Sequence, residues 1–126
     1  MGKELVICDS NIIIDLLRSN PKTISELNSI GFENVIISSI TLVELLNGSR
    51  SKRDYLSIEK RISNFNIIHF NDDISKLIES YSRKFSLHFH LQIPDLIIGA
   101  TAVYYDLKLF THNKKDFRFL PGINLY

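Results

Sequence analysis

Five short runs of β-branched and aliphatic residues place the tightest limit on how this chain can fold. They fall at residues 5–8, 35–38, 66–69, 107–111 and 123–125. Each is too short for a buried helix and is apolar without regular alternation, the pattern of a strand covered on both faces. Helical patterns separate them. Residues 11–18 read as a short helix capped by Ser10. In "SNPKTISELNSIG", Asn20 caps a helix, Pro21 is its first residue and Gly31 ends it. Residues 39–47 form the next helix, with Gly48 as its C′ residue. Residues 51–63 and 72–85 have amphipathic spacing, and residues 94–105 are apolar on nearly every side, which predicts a central buried helix. "LPGIN" predicts a turn before the last strand. Strands alternating with helices predict an α/β fold, an α/β/α sandwich around a short, mostly parallel sheet of four or five strands.

The chain has 126 residues, the size of one domain, and shows no repeat, linker or low-complexity segment, so residues 1–126 read as a single domain. Fifteen basic and fourteen acidic residues give a net charge of +1, so any nucleic-acid contact must come from local patches. The lone cysteine, Cys8, excludes an intramolecular disulfide, suits a reducing compartment and reads as a core residue. No signal-peptide pattern and no membrane-length apolar run is visible, which predicts a soluble cytoplasmic protein.

In a parallel α/β sheet, ligands bind beyond the carboxyl ends of the strands. Four acids belong to that edge. Asp9 ends the first apolar run; alone it reads as a helix cap, but Ser10 can do that work. Glu44, in "ITLVELLNG", lies past the first turn of its helix, where the helix dipole does not explain it, although a solvent-facing Glu would also fit. Asp95 opens the most apolar helix, where the dipole favours an acid, and Gly99 one turn on leaves space beside it. Asp116, in "THNKKDF", reads alone as a turn acid, with Thr111 and Asn113 supplying further polar groups nearby. Each acid has an ordinary explanation by itself. Converging from four segments, they must be protonated or hold cations. Oxygen ligands favour Mg²⁺ or Mn²⁺, and the chemistry that fits is phosphodiester hydrolysis. Asp15 differs, sharing a face with Asn11, Arg18 and Ser19 that reads as solvated.

The same segments carry a resemblance. "CDSNIIIDLL", "ISSITLVELLNG", "IPDLIIGATAVYYDLKLFTHNKKDF" and the closing "LPGINLY" resemble the PIN-domain ribonucleases, especially the VapC toxins of VapBC toxin–antitoxin pairs, over essentially the whole chain. The resemblance implies an α/β/α sandwich, a metal site of Asp9, Glu44, Asp95 and Asp116, and support from Ser10, Asn11, Thr111 and Asn113. It also implies an endoribonuclease that cuts RNA with Mg²⁺ or Mn²⁺, a homodimer, and a cognate antitoxin that covers the site. Gly99 departs from the alanine more usual there, without touching the chemistry.

An acidic pit repels RNA, so basic residues should flank it. Lys114 and Lys115 adjoin Asp116 and are the better candidates for phosphate contact. Arg50, Lys52 and Arg53, at the far end of the Glu44 helix, suit a partner instead, or are solvated surface charge. His88 and His90 in "HFH" lack a third metal ligand nearby and read as solvent-facing or packing residues. Two other functions fit the chain. An aspartyl-nucleophile phosphatase would use Asp9, but usually has a second Asp where Asn11 stands. A non-catalytic RNA- or protein-binding module would have no reason to keep four repelling acids.

Overall fold

The computed structural model describes residues 4–88 and 91–126. Five strands form one sheet: β1 (Val6–Cys8), β2 (Val35–Ser38), β3 (Asn66–Ile68), β4 (Lys108–Phe110) and β5 (Asn124–Leu125). Their order is β3-β2-β1-β4-β5, and every pairing is parallel. The expectation of a mostly parallel sheet is therefore met by an all-parallel one. Between the strands lie α1 (Ser10–Leu17), α2 (Pro21–Ile30), a 3-10 turn (Phe32–Asn34), α3 (Ser39–Asn47), α4 (Lys52–Ile62), α5 (Asp72–Phe85), α6 (Ile93–Tyr104) and α7 (Lys114–Phe117).

The two-residue period of the strands divides the core in two. Val6, Cys8, Val35 and Ile37 face a layer that includes Ile12 and Ile13 of α1, Leu27 and Ile30 of α2, and Ile62 of α4. Ile7, Ile36 and Leu109 face Ile74 and Tyr81 of α5, Ile98 of α6 and Phe117 of α7. A strand covered on both faces can be apolar at every position, which is why the alternation is missing from the sequence.

Local signals set most helix ends. Asn20 Oδ1 accepts from the Thr23 N–H, Pro21 opens α2, and Gly31 closes it at φ +92°, a conformation that L side chains rarely adopt. Ser51 and Asn71 cap α4 and α5 in the same way. Pro121 and Gly122 turn the chain into β5, with the Ile123 N–H donating to the Leu120 carbonyl.

Four local expectations are corrected. Asp9, not Ser10, caps α1. Gly48 is right-handed (φ −83°), so α3 ends without the left-handed residue expected of a C′ glycine. In α6 only the middle, Ile98 to Ala102, is fully buried, and Ile93 at its start is 71% exposed. The space at Gly99 does not serve Asp95: a Cβ there would stand 2.7 Å from Leu120 Cδ1, so the glycine lets the α6 backbone approach Leu120 and Phe117. His88 is exposed, and His90 lies outside the described residues.

Candidate active site

The first strand ends at Cys8, and the Asp9 N–H continues its ladder by donating to the Phe110 carbonyl of β4 at 2.9 Å. Asp9 is thereby fixed at the carboxyl edge of the central strand, only 3% exposed. One of its oxygens accepts from the Ser10 N–H at 2.7 Å, the other from Thr111 Oγ1 at 2.8 Å. Thr111 Oγ1 in turn accepts from the Asn113 N–H at 3.0 Å. Asp9 thus has the capping duty expected of Ser10, together with a second role between strands. Burial pushes its carboxyl above the ordinary range, while the Thr111 hydroxyl, the Ser10 N–H and the nearby His112 pull it back.

Freed from capping, Ser10 turns to α3. Its Oγ donates to Glu44 Oε1 at 2.7 Å and lies 3.2 Å from Oγ1 of the fully buried Thr41. Glu44 itself is exposed, held over the edge by this bond across 34 residues. Asp95 stands in the first turn of α6, behind Gln92, which makes no side-chain cap. A helix N-terminus favours an ionised acid by about 0.3–1 kcal/mol. Burial opposes it, and so do the charges of Asp9, Glu44 and Asp116. The opposing effects win, and the Asp95 carboxyl is pushed up to about 6. Asp9, Glu44 and Asp116 therefore each stand within electrostatic reach of Asp95. Asp116 completes the group from α7, where its N–H donates to the Asn113 carbonyl at 2.9 Å.

No ion pair among the described residues involves any of these four acids. Nor do three His, Cys, Asp or Glu side chains among the described residues stand close enough to bind one ion together. The repulsion on Asp95 is therefore uncompensated by protein cations, and the donor set consists of oxygens. This fits a hard divalent cation that keeps much of its water and uses one or two carboxylates directly.

The remaining sequence candidates surround the acids. Asn11 Oδ1 accepts from the His112 N–H at 3.4 Å, a long bond. Lys114 and Lys115 are exposed and line an open groove of about 510 Å³ with Thr111, His112, Asn113 and Arg118. Two residues went unrecognised in the sequence. His112 Nε2 meets Asp15 Oδ2 at 2.6 Å, and Asp15 also accepts from Thr23 Oγ1 at 3.3 Å. Asp15 is thus tied to two other segments rather than lying on a solvated stripe. No local signal could have paired residues 97 positions apart. Cys8 is fully buried beside Asp9, and its thiol is pushed up to about 12, which leaves it inert as a nucleophile.

A doubly covered parallel sheet with acids from four segments at its carboxyl edge defines a class, and the sequence pattern of the PIN domain family matches residues 6–122. The chain is 30% identical to the Ribonuclease VapC of Rickettsia bellii over 132 aligned positions, covering 95% of this chain and 93% of the relative. It belongs to the VapC-type ribonucleases of the PIN domain family. Among solved structures it resembles a toxin–antitoxin complex from Klebsiella pneumoniae (31% identity, 94% of each chain, TM-score 0.78). It also resembles VapBC-1 from nontypeable Haemophilus influenzae (26% identity, 97% of this chain and 96% of that one, TM-score 0.82). Members of this nuclease family are typically metal-dependent. No helix among the described residues is long and apolar enough to cross a membrane.

Proposed function

We propose that this chain is an endoribonuclease that hydrolyses RNA phosphodiester bonds with Mg²⁺ or Mn²⁺, as the cytoplasmic toxin of a type II pair. The observation that carries the reading is the carboxyl of Asp95, pushed up to about 6 by burial and by three other acids with no protein cation to relieve it. Of Asp9, Glu44, Asp95 and Asp116, one or two would hold the metal directly and the others through its water. When bound, the metal supplies charge for the scissile phosphate and lowers the pKa of an attacking water.

The protein's own groups divide the remaining work. Thr111 and the Ser10 N–H favour the ionised form of Asp9 against its burial. Ser10 Oγ holds Glu44 toward that edge. Asn113 orients the Thr111 hydroxyl by donating its N–H to it, so the Thr111 proton points at Asp9. Lys114 and Lys115 offset the repulsion between an acidic site and a polyanion by meeting flanking phosphates in the adjoining groove. The reading takes residues 1–126 as one domain acting as a homodimer.

A cognate antitoxin accounts for how such an activity is restrained. A second groove, of about 580 Å³, runs from Glu44 past Leu45 and Ile14 to Arg18, Arg50 and Arg61. It suits an acidic, partly apolar protein segment that reaches the acids from the side.

The test is cleavage of end-labelled cellular RNA by purified protein, with Mg²⁺ or Mn²⁺, with EDTA, and with Asp95→Asn. Discrete products that need both the metal and Asp95 are expected. No cleavage by folded, metal-saturated protein freed of any co-purified inhibitor would favour a binding module of the same fold. A trapped phosphoryl-aspartate would favour the phosphatase.

A further inference from the structure

We propose that Asp15 and His112 form a positioning clamp that holds the loop between β4 and α7 against α1, and so sets Thr111 and Asp116 relative to Asp9. The inference rests on the nuclease reading above and assigns a role to two residues outside its acidic group.

The clamp grips at two points. Asn11 and Asp15 stand four residues apart on α1 and share a face. Asn11 Oδ1 takes the main-chain N–H of His112, and Asp15 Oδ2 takes its ring at 2.6 Å. An ionised carboxylate only accepts, so Nε2 of His112 carries the shared proton. Asp15 is itself held from α2 by the hydroxyl of Thr23, a residue only 3% exposed. That 3.3 Å bond is long and adds a weak second restraint on the ring partner.

What the clamp holds follows from the residues on either side of His112. Thr111 precedes it and donates to the buried carboxylate of Asp9. Asn113 follows it, donates to Thr111 and accepts from the N–H of Asp116. The chain is exposed from His112 through Asp116 of α7, so packing does not fix it until Phe117 enters the core. The long bond from Asn11 is a weak restraint alone. The short Asp15–His112 contact therefore restrains the exposed stretch between two groups that must be placed accurately. The pair itself is half open to water and adds little to global stability. Its effect belongs to the site rather than the fold.

The experiment compares wild type with Asp15→Ala, His112→Ala, Asp15→Asn and His112→Gln. Mn²⁺ is titrated into each by calorimetry, RNA cleavage is followed across the same Mn²⁺ range, and melting temperature checks the fold. Both alanine variants are expected to need about ten- to a hundredfold more Mn²⁺ for half-saturation and to lose cleavage in parallel. Their melting temperatures should change little. Both conservative substitutions keep a donor facing an acceptor, so Asp15→Asn should stay close to wild type, and His112→Gln, which also removes the ring's pull on Asp9, should fall between wild type and His112→Ala. Alanine variants that bind Mn²⁺ like wild type would overturn the clamp while leaving the nuclease intact. Conservative variants that fail as badly as alanine would overturn it too. Wild type that neither binds Mn²⁺ nor cuts RNA would instead refute the nuclease reading, and the clamp with it.

Discussion

Replacing Asp95 with asparagine should abolish cleavage yet stabilise the metal-free protein. The carboxyl is moved from 3.8 to about 6. Fully felt, that gap corresponds to roughly 3 kcal/mol. Asp95 is only half-buried, so screening by water leaves on the order of 1 kcal/mol. Because the folded-state value is raised, the native state binds this proton more tightly than the unfolded chain. Stability from this group is fully present below about 3.8 and is lost as pH rises through about 6. Asp95→Asn lacks that loss. In EDTA at pH 7.5 the variant should melt roughly 3–5 °C above wild type, and the difference should vanish by about pH 4. Scanning fluorimetry across this pH range reads the effect directly. Saturating Mn²⁺ should reverse the order, because only wild type retains the full set of carboxylates. The competing account makes Asp95 a helix-dipole residue whose loss costs about 0.3–1 kcal/mol. An asparagine variant less stable than wild type at pH 7.5, or a difference that ignores pH, would refute the reasoning.

Thr111→Val removes the donor from the buried Asp9 carboxylate, so Asp9 should titrate still higher and the fold lose about 1–3 kcal/mol at neutral pH; an unshifted urea midpoint would count against that bond. Ser10→Ala frees Glu44 without altering the acids, and the Mn²⁺ needed for half-maximal cleavage should rise at least about tenfold, read from activity against metal concentration. Lys114→Ala/Lys115→Ala, placed on an Asp95→Asn background so that RNA survives, should weaken RNA binding. Fluorescence anisotropy over a salt series should then give a slope shallower by about 1–2, and an unchanged slope would exclude the two lysines from phosphate contact.

Signals that act within a few residues were legible in the sequence. Asn20, Pro21 and Gly31 bounded α2 because a cap, a fixed φ and a positive φ each operate within one turn. The unbroken strands announced a sheet buried on both faces, and the parallel-sheet rule sent Asp9, Glu44, Asp95 and Asp116 to one edge. The displaced Asp95 carboxyl reports that convergence. Neighbouring candidates for a single role were harder to separate. Ser10 and Asp9 can both cap α1. The choice at α1 depends on Glu44 and Thr41, which engage the Ser10 hydroxyl from another helix.

By itself, then, the sequence determined the order of elements and the parallel architecture and pointed to the four acids as candidates, since propensity, capping and periodicity are carried by near neighbours. Only the tertiary structure decided how those acids are held. The bonds that do it join Thr111 to Asp9 across 102 residues and His112 to Asp15 across 97. Such partners are set by which strands lie side by side, β4 against β1, and no local pattern encodes that adjacency. The charge state of Asp95 is likewise tertiary, because desolvation and repulsion depend on what the fold brings near it.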